Sequence, residues 1–192
     1  SKSTIPQTII FFMPDQTPVI LLAFANDRQG SFLRNISLEQ QAITDALGPA
    51  ETNGWVKVKV LPAASIQRII DAFMEYKDRI VLFHYGGHAD GESLLLSSGE
   101  NAATMDADSF ADFLATQKAM KLVFLNACDT YDQAKALQQA GVEQVIVTDR
   151  AIEDEAAKDF ARYFYAGLAQ KKTVDASFQQ ADTIVKLGKG GA

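Results

Sequence analysis

The chain has two histidines, His84 and His88, and both lie in the stretch HYGGHADG at 84–91. Its one cysteine, Cys128, follows in KLVFLNACDT at 121–130. An imidazole gives and takes protons near neutral pH, and a thiolate attacks carbonyl carbon. A histidine and a cysteine held within reach of each other suit covalent acyl transfer, provided backbone N–H groups face the developing oxyanion. Gly86-Gly87 adds a place where a substrate backbone can come close, because no side chain stands in the way.

The same stretch admits three other readings. The spacing His-x-x-x-His holds a metal when both rings share one face of a helix, but here it falls on a strand and a Gly-Gly turn. Glycines after a strand cradle phosphate when a helix opens directly behind them, but here the pattern is that of a hairpin. The third reading is structural. His84 stands among Leu82, Phe83 and Tyr85 and reads as a partly buried strand residue with a satisfied nitrogen. Taken alone, Cys128 would read as a small buried apolar residue, and Asp90 and Asp129 as solvated loop acids. No metal and no cofactor is expected.

The elements that must position these residues alternate along the chain. TPVILLAFA (17–25) is a near-continuous apolar run, as for a strand buried on both faces. NDRQGSFLRN reads as a loop. SLEQQAITDAL reads as a helix with Ser37 and Gln40 as a capping box. WVKVKVL (55–61) alternates apolar residues with Lys, the mark of a charge-protected edge strand. SIQRIIDAFMEY is a second helix with Ile66, Ile69, Ile70 and Phe73 on one face. IVLFHYG (80–86) is the third strand, and GESLLLSSGENAATM a hairpin. A helix at DADSFADFLAT leads to the strand KLVFLNA (121–127). Thr130 and Gln133 repeat the capping-box pattern before YDQAKALQQAG, and VEQVIVT (142–148) is a further strand. Two helices finish the chain. Ala157, Phe160, Ala161, Phe164, Tyr165 and Leu168 line one face of the first, and the second stops at Gly188.

Alternation of this kind builds an α/β fold, an open and mostly parallel sheet with helices on both faces. With right-handed crossovers the strand order 2-1-3-4-5 is expected. Sites in such sheets lie beyond the carboxyl ends of the strands. The strands at 80–86 and 121–127 are then neighbours, roughly 5 Å apart, and they run out into His88 and Cys128. The helix opened by Thr130 would place its positive end near the sulfur.

Composition sets the outer limits. The chain has 192 residues, enough for one domain with a real core. We expect an N-terminal extension at 1–16, a single domain at 17–188 and a frayed tail at 189–192. A net charge of -6 argues against direct nucleic-acid binding and weakly against an anionic membrane surface. A single cysteine permits no internal disulfide and fits a reducing, cytoplasmic setting. The opening SKSTIPQ lacks the parts of a signal peptide. It starts with Ser rather than Met, so a piece of a longer protein is expected.

The blocks VLFHYGGHADGESLLL and KLVFLNACDT resemble the two active-site blocks of CHAT-domain peptidases, a caspase-like cysteine protease family. GVEQVIVTDRAIEDEAAKDFARYFYAGLAQKKTVDASFQQA resembles the family's C-terminal stretch. The resemblance covers roughly 80–185, and TPVILLAFANDR fits as the expected first strand. It implies His88, not His84, as the catalytic histidine and Cys128 as the nucleophile. The glycine whose N–H helps form the family's oxyanion hole falls on Ala89, a departure. A tryptophan of many relatives falls on Arg150, a second departure, in a loop that lines the substrate cleft of caspase-like proteases.

The implied chemistry is peptide hydrolysis through an acyl-enzyme. Cys128 attacks, the amides of Ala89 and Cys128 hold the oxyanion, and His88 protonates the leaving amine and then activates water. Asn126, Asp149 and Arg150 are candidate substrate-pocket residues. Asp149 would favour a basic residue before the cleaved bond, and Arg150 an acidic one. The resemblance implies a bacterial endopeptidase of a defence or signalling system, acting on a partner protein and switched on by a sensor module. Two other classes stay open. One is a catalytically silent protease-like interaction module. The other is a receiver-like or Toll-receptor-like signalling domain, which would leave Cys128 beside His88 without explanation.

Overall fold

The computed structural model of the chain describes residues 16–25, 36–89, 93–96, 103–127, 130–148 and 154–189. A five-stranded parallel sheet forms its middle layer. The strands are β1 (Val19–Phe24), β2 (Lys57–Leu61), β3 (Ile80–Gly86), β6 (Leu122–Asn126) and β7 (Gln144–Val147), in the spatial order β2-β1-β3-β6-β7. Counting the sheet strands alone, this is the expected order 2-1-3-4-5. The hairpin of β4 (Ser93–Leu96) and β5 (Ala103–Asp106) forms a separate antiparallel pair.

Side-chain alternation along β1 divides the core in two. Val19, Leu21, Ala23 and Ala25 face one side, packed under α2 (Ile66–Glu75), α3 (Ala107–Ala115), α4 (Tyr131–Gln139) and the hairpin. Ile20, Leu22 and Phe24 face the other side, under α1 (Ile36–Thr52), α5 (Asp154–Ala169) and α6 (Val174–Lys189). All six β1 residues are buried, as a strand covered by helices on both faces must be. Burial of each large apolar side chain contributes roughly 1.5–3 kcal/mol. β2 is the edge, and its Lys57 and Lys59 lie over the Tyr76 ring, with Lys59 also bonded to Glu75.

Several local expectations need correction. α1 is already helical at Ile36, so Ser37 lies inside its first turn and makes no capping box with Gln40. The helix also runs past Leu47 through Pro49 to Thr52, because Ala50 is buried against the sheet and Asn53 donates from both its backbone and its side chain to the Pro49 carbonyl. Thr130 does sit at the N-cap of α4, but its side chain makes no cap bond; its hydroxyl donates to the Ala127 carbonyl. Gln133 is buried with neither end of its side chain bonded. The buried face of α2 is Ile69, Ala72 and Phe73, while Ile66 and Ile70 reach solvent. The real caps are Ser65 on α2, accepting from the Arg68 N–H, and Asp106 on α3, accepting from the Ser109 N–H. That bond lowers the Asp106 carboxyl below its ordinary range. α6 continues through Gly188 to Lys189. The expected loop at 26–35 and the tail at 190–192 lie outside the described residues. Among the described residues no helix is long and apolar enough to cross a membrane.

Candidate active site

β3 and β6 lie side by side with Gly86 opposite Asn126, and the N–H of Gly87 donates to the Asn126 carbonyl at 3.3 Å. His88 is two residues beyond Gly86, and Cys128 is two residues beyond Asn126. The pairing brings the ends of these two strands together at the carboxyl edge of the sheet. His88 and Ala89 are half-buried, and Ala89 forms an antiparallel bridge to Leu94 at the start of the hairpin. Cys128, Asp149, Arg150, Asp90 and Asp129 lie outside the described residues.

The turn after β3 depends on its two glycines. A Cβ on Gly86 would stand 2.7 Å from Phe24 Cδ1, and one on Gly87 would stand 2.8 Å from the Ala25 carbonyl oxygen and against the Tyr85 hydroxyl. Both are closer than real Cβ atoms come, so the close run of β3 and its turn alongside the end of β1 needs residues without side chains. The Tyr85 hydroxyl uses the space and donates to the His88 carbonyl at 2.6 Å.

His84 points to the opposite face from Tyr85 and is fully buried. Its ring packs against Phe24, Phe124 and Tyr165. Both nitrogens have partners: Nδ1 meets the Tyr165 hydroxyl at 3.0 Å, and Nε2 meets Glu39 Oε1 at 3.2 Å. The same Glu39 oxygen accepts from Asn126 Nδ2 at 2.5 Å, and Asn126 Oδ1 accepts from the Thr148 hydroxyl at 2.9 Å. The orientation of the Asn126 amide follows, since its flipped form would set oxygen against carboxylate oxygen. With a carboxylate acceptor, Nε2 carries a proton toward Glu39, and the Tyr165 hydroxyl can donate to Nδ1. Burial pushes the Tyr165 hydroxyl well above the usual phenol range, and the Glu39 charge adds to that. One polar chain, Tyr165–His84–Glu39–Asn126–Thr148, buried at its first three members and half-buried at the last two, thus joins α5, β3, α1, β6 and the end of β7.

Glu39, Tyr165, Thr148 and Tyr85 were not singled out from sequence. For Glu39 a signal existed. It falls between Ile36 and Ile43 on the inward stripe of α1, where an acid must find partners. An open groove of about 530 Å³ between α1 and α5, lined by Leu38, Gln41, Asp45, Lys158, Arg162 and Tyr163, includes none of the candidate residues.

An open parallel sheet in this order, with the turn that carries His88 at its carboxyl edge, is the architecture of a caspase-like domain. The chain belongs to the CHAT domain family, whose model matches residues 8–189 and which is a caspase-like peptidase family of clan CD. No curated protein matches the chain significantly.

Proposed function

We propose that the chain is a cysteine endopeptidase that cleaves a partner protein, with Cys128 as nucleophile and His88 as acid–base. The observation that carries this reading is the pairing of Gly86 with Asn126 in a CHAT-family sheet, with His88 and Cys128 each two residues further along. Cys128 adds to the scissile carbonyl, and the backbone amides of Ala89 and Cys128 stabilise the oxyanion. His88 donates a proton to the leaving amine and then deprotonates water to release the acyl group. Asp149 and Arg150, which follow β7 in the sequence, are the pocket candidates. Asn126 has both side-chain ends on Glu39 and Thr148, and we read it first as a support for the end of β6. Control by an associated sensor module belongs to the same reading.

The test is adduct mapping. The protein is treated with iodoacetamide and with an acyloxymethyl-ketone peptide probe, and labelling of Cys128 is timed by mass spectrometry. Labelling well above the rate of a thiol in an unfolded peptide, and lost in His88→Ala, supports the dyad. Labelling at the peptide rate in both proteins rejects it and leaves a protein-interaction module.

A further inference from the structure

The Tyr85 side chain is completely buried on the α2–α3 face of the sheet, yet its hydroxyl bonds the main chain of the turn that carries the candidate histidine. It reaches that turn across Gly87, at a point where a Cβ would displace it. The described chain has no cis peptide bond. In a trans peptide the C=O and the following N–H point in opposite directions. With the His88 carbonyl drawn toward the buried hydroxyl, the Ala89 N–H is turned away from it. We propose that Tyr85 is a positioning residue. Its hydroxyl fixes the orientation of the His88–Ala89 peptide and so aims the Ala89 N–H at the oxyanion of a peptide substrate.

The inference rests on the cysteine-peptidase reading, and it gives Gly87 and Tyr85 a joint task. The Gly87 N–H on the Asn126 carbonyl and the Ala89–Leu94 bridge hold the two ends of the turn; the hydroxyl acts on the His88–Ala89 peptide between them. Here the missing side chain is the passage through which the hydroxyl grips the next peptide. The restraint matters more with alanine at 89, because alanine has fewer conformations in which to recover a misaligned N–H.

The test is Tyr85→Phe in the full chain, which removes one oxygen and keeps the ring. Three quantities are read: the Ala89 amide position in a ¹H–¹⁵N spectrum, kcat and KM on pooled fluorogenic peptide amides, and the rate of iodoacetamide alkylation of Cys128. The expected result is a shifted Ala89 amide with β1 and β6 amides unmoved. With it, kcat falls at least about tenfold at constant KM. Alkylation stays unchanged, because it forms no oxyanion. An unmoved Ala89 amide overturns the proposal, as does a moved amide with unchanged kcat. A moved amide in a protein whose wild type neither turns over peptides nor labels at Cys128 rejects the peptidase reading and the oxyanion role with it, leaving Tyr85 as a structural clamp.

Discussion

Glu39 Oε1 lies 3.2 Å from His84 Nε2, joining the first helix to the central strand across 45 residues of sequence. The pair is buried among Phe24, Phe124 and Tyr165. It ties His84 into the fold, and the proposed acid–base role falls to His88, four positions on.

Truncating Glu39 should therefore be costly. Glu39→Ala leaves the His84 Nε2–H and the Asn126 amide without an acceptor, and each donor so stranded costs about 1–3 kcal/mol. Glu39→Gln keeps one oxygen acceptor and should lose less, about 1–3 kcal/mol. Urea midpoints measure both. Equal losses for the two variants would show that packing, not hydrogen bonding, holds this site.

The two histidines should separate cleanly. His84→Ala opens a cavity and strands Glu39, so its stability should fall by several kcal/mol. His88→Ala, at a half-buried strand end, should stay within about 1 kcal/mol of wild type while losing fast labelling of Cys128. A stable His84→Ala protein that has lost Cys128 reactivity would reverse the two assignments.

Stability should fall in alkali through Tyr165. A tyrosine in the unfolded chain titrates near pH 10, and in the folded chain burial holds this hydroxyl protonated well above that range. The stabilisation is complete below about pH 10; above it the unfolded chain releases a proton that the folded chain keeps, so the folded state loses ground as pH rises. Denaturation curves between about pH 9 and 11 should be steeper in pH for wild type than for Tyr165→Phe. Parallel slopes would place the alkaline loss elsewhere.

Glycines in this chain should differ in their tolerance of alanine. Gly86→Ala drives a Cβ to 2.7 Å from the buried Phe24 ring and should cost about 1–3 kcal/mol. Gly48, inside α1, has nothing within 4 Å of an added Cβ, and Gly48→Ala should gain up to about 1 kcal/mol. Thermal melts of the two variants should move in opposite directions.

Much of the fold was legible because the strands are apolar enough to declare themselves and the helices carry one-sided stripes. The runs at 17–25, 80–86 and 121–127 became β1, β3 and β6, and the strand order followed from connection rules. The misreadings were local and shared a cause. Ser37 with Gln40, and Thr130 with Gln133, have the right types at the right spacing for a capping box, but a cap also needs the helix to start at that residue and the side chain to turn back. On α2, Ile70 fits the apolar pattern, yet the face turned to the sheet is that of Ile69, Ala72 and Phe73.

Taken alone, the sequence determined the alternation of elements, the two apolar faces of the sheet and the strand ends on which His88 and Cys128 fall, since all of these follow from local pattern and connection chirality. Tertiary structure alone decided which polar groups meet. Glu39 finds His84 and Asn126, and Tyr165 finds His84 across 81 residues, because α1 and α5 pack on the same face of the sheet. No spacing within one element encodes that meeting. It arises when a buried carboxylate and a buried imidazole, each costly alone in an apolar layer, are brought within hydrogen-bond distance by the packing of the layers around them.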